Sequence, residues 1–501
     1  MKNLVRPTSG VTMRGTYSAK DVLLTILVIA GIWAAYVLLL PEGGISRIGE
    51  FHTLDRASSF ARQSDWFTVY SLGDVTFNKP PLQYWMSALL MEAGLEQTIA
   101  LRLPSMLFAL GNLVATALLA AAIMPGVRWV MIASVLLCSS SVAFWTASVS
   151  AMLDTGNAFF STLALASAVL ALRQSTWWYV AAVAIALGAL QKSPAAFALV
   201  AVFLIALFAT SRFHGYRFST LRADRPFRRS VLIAIVGVFA WTVLQTALHG
   251  FAAIDDFFGD QMIDRFKPDP LDGTWNLSQI GDLLIDDEEY LRIPGILALY
   301  WLPWRVRRLE LIALPAVFTV FALAMVMADG SVYSRYALNI LSLLSVALAS
   351  VLLSFRRYIW AALAAVAVVA LATGSPLKRA EDLRLYPPDI IGIQNRLLSE
   401  VGAMLTHKEE LVYCSWDRTH TRFRPGGVSY FASDGRRVFR LGKPRSIETY
   451  LKDGNLNGPI RGVCRSADLA LIADRLVGLE IVKEESGYAI WTAERARSQR
   501  K

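Results

Sequence analysis

The sequence predicts a polytopic α-helical membrane protein, with about eleven transmembrane helices and a small C-terminal α/β extracytoplasmic domain. Three observations carry that prediction. The 501 residues are 55% hydrophobic and only 18% charged, and mean hydropathy is +0.45, a balance that water-soluble globules do not show. The apolar residues fall in runs, many of them near the roughly 20 residues that cross a bilayer. Basic residues gather in alternate loops between those runs, the pattern of a cytoplasmic face. The net charge of +10 therefore marks topology, and no nucleic-acid partner is expected.

Taken in order, residues 1–20 hold Lys2, Arg6, Arg14 and Lys20 and read as a cytoplasmic tail. Residues 21–373 form the transmembrane domain. Its first span lies within Asp21 to Leu40, and no small-residue cleavage site follows it. Further apolar runs lie near 97–123, 127–147, 156–172, 177–191, 195–210, 231–248, 290–304, 311–328, 336–354 and 359–373. Alternation from a cytoplasmic N-terminus puts three basic loops inside, those of Arg212 to Arg229, Arg305 to Arg308, and Arg356 with Arg357. It puts the loops 41–85, 148–155 and 249–289 outside, with Lys192 and Arg335. An odd number of spans also places residues 374–501 outside.

Gly374-Ser375-Pro376 and Tyr386-Pro387-Pro388 break the pattern and introduce this last domain. Residues 389–406 have helical apolar spacing. Glu410 to Trp416, Val428 to Phe431, Arg437 to Leu441 and Ala489 to Thr492 read as strands, and Leu469 to Leu476 as strand or helix. Cys138 lies in an apolar run and reads as buried. Cys414 and Cys464 are the remaining cysteines, both in the domain expected to face an oxidising compartment. They are candidates for a disulfide if their Cα atoms approach within about 4.4–6.8 Å.

The polar loop Ile45 to Trp85 organises the rest. It contains Glu50, His52, Asp55, Arg56, Arg62, Asp65-Trp66 and Asp74, and ends Phe77-Asn78-Lys79-Pro80-Pro81-Leu82-Gln83-Tyr84-Trp85. Two prolines stiffen this backbone and remove two donors, so Lys79 is held at a set place. Tyr84 and Trp85 suit the headgroup level. Polar residues beside apolar runs are functional candidates by default. Asp154, in Leu153-Asp154-Thr155-Gly156-Asn157, is the sharpest, and it can also be read as a helix N-cap. Lys192, in Gln191-Lys192-Ser193-Pro194, and Arg335-Tyr336 can be read as snorkelling anchors. Arg265, in Asp264-Arg265-Phe266, can be read as a surface ion pair.

Asp65-Trp66 followed by Lys79-Pro80-Pro81-Leu82-Gln83-Tyr84-Trp85 resembles the first outer loop of the GT-C glycosyltransferases. The nearest branch is that of the protein O-mannosyltransferases and the lipid A aminoarabinose transferase. Leu153-Asp154 before Phe159-Phe160 resembles the family's second outer loop, and Asp256-Phe257-Phe258 with Arg265-Phe266 its third. The resemblance covers roughly residues 20–350 and does not reach the C-terminal domain. It implies a polyprenyl-phosphate-linked sugar as donor, and a lipid, glycan or protein as acceptor at the outer face of the inner membrane. It assigns Lys79, Arg265, Lys192 and Arg335 to the donor phosphate, with Tyr84, Trp85 and Tyr336 positioning substrate. Asp154, with Glu50 or Asp55, would orient or deprotonate an acceptor hydroxyl. The family's Asp-Glu pair is missing: Gly49-Glu50 stands there, and Asp55 is the next acid.

Asn78 and Gln261 stand where relatives often carry Glu and some carry His. These amides supply neither charge nor imidazole, so no cofactor is required, and a divalent metal is less expected than in relatives. A lipid-linked-sugar flippase and a silent polyprenyl-phosphate-binding assembly protein are the alternatives. A transporter would more often carry charges inside its spans, whereas here they gather in outer loops.

Overall fold

The computed structural model describes residues 17–39, 44–45, 48–71, 74–255, 257, 291–327, 334–355, 388–405, 411–414, 423, 425–428, 438–441, 446–452 and 459–494. Every apolar run up to residue 354 carries helix, as an apolar backbone must when its polar groups have no water to bond. In order these are α1 (Ala19–Leu39), α4 (Gln97–Ile123), α5 (Val130–Ser139), α6 (Val142–Ser148), α7 (Leu153–Ala171), α8 (Trp177–Gln191), α9 (Ala195–Ala209), α12 (Arg225–His249), α14 (Arg292–Arg305), α15 (Ala313–Met327) and α16 (Leu338–Leu353). Two helices lie in the first loop, α2 (Ile48–Gln63) and α3 (Leu82–Glu92), and α10 (Ser211–His214), α11 (Phe218–Ala223) and α13 (Ala252–Ile254) are short turns of helix. Among the described residues, five helices are long and apolar enough to cross a membrane, or six if one bent pair is a single span. The run at 359–373 lies outside the described residues.

The bent pair corrects one expectation. The run 127–147 is not one straight helix but α5 and α6, bent by 76°. Ser141 is the cause: its hydroxyl accepts from Phe144 N at 3.1 Å and starts a new helix as an N-cap. Elsewhere small residues let helices approach closely. A Cβ on Gly237 of α12 would lie 2.2 Å from Ala186 Cβ of α8. In the same bundle, α7 packs against α4, α8, α9 and α16. Cys138 is fully buried, among Asn112, Thr116 and Ser342.

The chain divides into two compact units, and α2 does not belong with the helical bundle. Residues 41–62 join 380–501 in the second unit. Phe51 of α2 lies against Gly427, where a Cβ would meet its ring at 3.4 Å, and Gly44 lies against Ile391. This unit is built on a sheet of β3 (Leu411–Cys414), β4 (Val438–Leu441), β5 (Ile460–Arg465), β6 (Val477–Glu485) and β7 (Tyr488–Glu494), after two-residue strands at Tyr70–Ser71 (β1) and Asp74–Val75 (β2). The strand order is β4-β3-β5-β7-β6, parallel across the first three and antiparallel thereafter.

Alternation fills both faces, because successive side chains of a strand point opposite ways. Leu411, Tyr413, Tyr488 and Ile490 pack with Leu397 and Val401 of α17 (Pro388–Met404). Val412, Cys414, Ala489 and Trp491 pack on the other face with Ile447 and Leu469. The parallel register Tyr413↔Val463 brings the next pair together: Cys414 and Cys464 form a disulfide, with Cα atoms 4.8 Å apart.

Residues 425–428 correct a second expectation, since Pro425–Val428 is a helical turn where Val428 was expected to begin a strand. Proline at a first helical position explains it. Leu469 to Leu476 resolves as helix Ser466–Ala470 and the 3-10 turn Ala473–Arg475.

Candidate functional site

Asp154 is the second residue of α7. Met152 holds the N-cap position and no side chain caps the helix, so the capping role is not the one Asp154 takes. Its carboxylate instead accepts from Lys192 Nζ at 2.6 Å, and Arg335 Nε stands 3.9 Å away. The Asp154 and Lys192 side chains are only 8% and 15% exposed, so water screens their attraction little. Lys192 is the residue that ends α8. Arg335 sits in the 3-10 turn Ser334–Ala337 that leads into α16. Both cations face Tyr336, with Lys192 Nζ 5.0 Å and Arg335 Cζ 5.7 Å from the ring centroid, within cation–π range. Lys192 therefore reaches sideways to a carboxylate and does not snorkel. Among the described residues two cations stand against this one carboxylate, a setting suited to an anion such as a phosphate.

Sequence reasoning missed the amides that hold this cluster. Asn157, one turn along α7, donates to Asn339 Oδ1 at 2.9 Å. Asn339 Nδ2 in turn donates to the carbonyl of Tyr336 at 3.1 Å. Ser193 reaches Asn157 Oδ1 at 3.4 Å, and Ser161 reaches Asn339 at the same distance. The turn carrying Arg335 and Tyr336 is thereby tied to α7. A signal was present: Asp154, Asn157 and Ser161 recur at i, i+3 and i+7 along α7, so they share a face.

Lys79 belongs to the same unit. Its ammonium donates to the Asn78 carbonyl at 2.9 Å, and Pro81 stands just before α3, whose first turn carries Tyr84 and Trp85. Tyr84 is 1% exposed, so its ring packs in protein and not among headgroups, a correction to the sequence expectation. Trp85 Nε1 donates to the carbonyl of Trp66 at 2.8 Å, and its ring meets Trp241 edge-on at 5.8 Å. Asp65 caps its own turn by accepting from Phe67 N at 2.8 Å.

The other two acids stand in the second unit. Glu50 and Asp55 on α2 are 1% and 2% exposed, and Asp55 pairs with Arg62 at 2.9 Å. Arg265 and Gln261 lie outside the described residues. Asn78 offers a neutral amide whose Oδ1 is buried without a hydrogen-bond partner among the described residues. Among the described residues no three His, Cys, Asp or Glu side chains converge as a metal site would need.

Gly156, on the second turn's approach to α8, is fixed by space. A Cβ there would lie 2.4 Å from Gln191 Nε2 and 2.8 Å from Phe108 Cδ2. Gly156→Ala should cost about 1–3 kcal/mol, the usual penalty of overpacking. The check is the thermal unfolding of the purified protein, and an unchanged midpoint would contradict the close approach.

Residues 78–241 match the family model described as dolichyl-phosphate-mannose-protein mannosyltransferase. No curated protein matches the chain. Among solved structures, ArnT from Cupriavidus metallidurans bound to undecaprenyl phosphate superposes with a TM-score of 0.64 at 15% identity, covering 96% of this chain and 99% of that one. The arabinofuranosyltransferase AftD from Mycobacteria gives 0.57 at 14%, over 96% of this chain but 40% of its own. The Archaeoglobus fulgidus oligosaccharyltransferase in the apo form gives 0.52 at 13%, over 95% and 75%. The chain is thus a multi-pass membrane protein with the fold of the GT-C glycosyltransferases, carrying the mannosyltransferase family's sequence pattern over residues 78–241.

Proposed function

We propose that the protein is a glycosyltransferase that moves a sugar from a polyprenyl-phosphate carrier to an envelope acceptor (a lipid, a polysaccharide or a protein) at the outer face of the inner membrane. The observation that carries the reading is the partly buried Asp154–Lys192–Arg335 cluster, set in a fold shared with a protein solved bound to undecaprenyl phosphate. A lipid carrier needs an apolar bundle for its tail and cations for its phosphate. The bundle is present, and Lys79, Lys192 and Arg335 are candidate cations of the same unit, with Arg265 as a further candidate.

The leaving group is a phosphate monoester, whose developing charge fixed cations stabilise directly. Lys79, on a stiff proline-bounded backbone, contacts the phosphate. Asp154 fixes Lys192 and Arg335 and orients the sugar or acceptor. Glu50 and Asp55 are the candidates that the resemblance offers for a second acid, one that would take a proton from an acceptor hydroxyl. If the acceptor is itself a phosphate, no base is needed and both acids serve in positioning. Direct displacement inverts the anomeric centre. Charge stabilisation by lysine and arginine requires no metal or other cofactor.

The deciding experiment is mass spectrometry of envelope lipids, glycans and proteins from cells with and without the protein. A glycosylated species that depends on the protein is expected, and identical envelopes would overturn the reading. Lys79→Ala should weaken binding of undecaprenyl phosphate to the full-length protein in nanodiscs by about 10-fold, one lost charge-assisted contact. Wild-type affinity in that variant would remove Lys79 from the phosphate site.

A further inference from the structure

Beside the charged cluster runs a chain of buried side-chain amides that the proposed chemistry does not use. Gln83 and Gln191 are both fully buried. Gln191 Nε2 donates to Gln83 Oε1 at 2.7 Å and to the Leu153 carbonyl at 3.2 Å. Gln83 Nε2 donates to Ser105 Oγ at 2.9 Å, and that hydroxyl donates to the Met152 carbonyl at 3.0 Å. The two glutamines thus hold the two carbonyls that immediately precede Asp154. Each also adjoins another candidate: Gln191 is followed by Lys192, and Gln83 lies four residues after Lys79, across Pro80-Pro81.

We infer that Gln83 and Gln191 form a positioning bracket, which fixes the Asp154–Lys192 pair relative to Lys79 for the transfer proposed above. Three features support it. The hydrogen bonds join α3, α4, α7 and α8, the elements that bear or flank these charges, at one buried point. Gly156 leaves the space that the Gln191 amide occupies. Gln191 Oε1 is buried with no hydrogen-bond partner among the described residues, so an apolar pair of similar volume at 83 and 191 would serve stability alone about as well. An amide standing at a place where stability alone does not call for one points to a positional role at the site.

The inference rests on the glycosyltransferase reading, and its test separates the two. The double variant Gln83→Leu/Gln191→Leu removes both partners together, so neither amide is left stranded. Full-length protein in nanodiscs should unfold within about 2 °C of wild type, a shift of roughly 1–2 kcal/mol in a chain of this length. It should bind undecaprenyl phosphate within about threefold of wild type, because the phosphate cations remain. The protein-dependent envelope product, measured by mass spectrometry in cells making only this variant, should fall about 10-fold to 100-fold, as small misplacements of reacting groups do.

A double variant that transfers at the wild-type rate overturns the bracket. So does one whose transfer and unfolding temperature fall together, because the amides would then only hold the fold. If the double variant fails to fold, Gln83→Met/Gln191→Met, which keeps side-chain length while removing both partners, carries the same comparison. Asp154→Asn is run beside them. If it transfers at the wild-type rate, the reading of the site has failed. If it is slow while the glutamine variant is unimpaired, only the bracket has.

Discussion

Replacing Asp154 by asparagine should slow sugar transfer by about 10²–10³-fold, the usual effect of losing one oriented electrostatic contact. The substitution keeps shape and removes charge. Lys192, 2.6 Å away, and Arg335, 3.9 Å away, would then face each other without their carboxylate. The cluster becomes more positive, so undecaprenyl phosphate should bind at least as well as before while transfer fails. Stranding partly buried cations also destabilises, by about 3–5 kcal/mol in the harsher cases, so unfolding must be measured with activity. Asp154→Asn/Lys192→Met separates the two effects. It restores the charge balance and should recover stability without recovering transfer. A folded Asp154→Asn protein that gives the normal amount of product would remove Asp154 from the mechanism. Glu50→Gln and Asp55→Asn, compared side by side, identify the second acid. Asp55 already has Arg62 as partner, so Asp55→Asn also releases that arginine and its cost must be read against stability.

The second large effect belongs to the C-terminal sheet. Replacing Cys414 and Cys464 together by alanine should cost about 2–5 kcal/mol, because the bridge closes a sequence separation of 50 residues. Both cysteines are buried, and Trp491 Nε1 donates to Cys464 Sγ at 3.3 Å, so the bridge is also part of the packed face. Limited proteolysis of the full-length protein reads the loss as faster cleavage within 411–494. Alkylation reads the bond itself: neither thiol should react until the protein is reduced. Full labelling of both without reductant would show that the bridge does not form. A bridge that forms in cells would place this domain in an oxidising compartment.

Much of the molecule was legible because local chemistry decides it. Apolar runs become helices wherever backbone groups lack water, and run after run did so. Alternation gave strands at Leu411–Cys414 and Val438–Leu441. It did not reveal Ile460–Arg465 or Val477–Glu485, where arginine, glycine and glutamate interrupt the pattern. The helix α2 was also hidden within a loop, since its mean apolar character is low and its burial comes from Phe51, Leu54 and Phe60 packing in the second unit.

The amino-acid sequence by itself determined the class of protein, the stiff Lys79-Pro80-Pro81 stretch and the candidates Asp154, Lys192, Arg335 and Tyr336. Residue type and neighbours along the chain suffice for these. Only the tertiary structure decided that Lys192, 38 residues from Asp154, is its ion-pair partner, and that Arg335 joins them. It also decided that Asn157 and Asn339 tie this group together, and that Gln83 and Gln191 lie beneath it. The physical reason is the range of the forces. Helix formation is settled within a few residues, whereas a buried ion pair or amide bond forms only when packing brings together groups far apart in the chain.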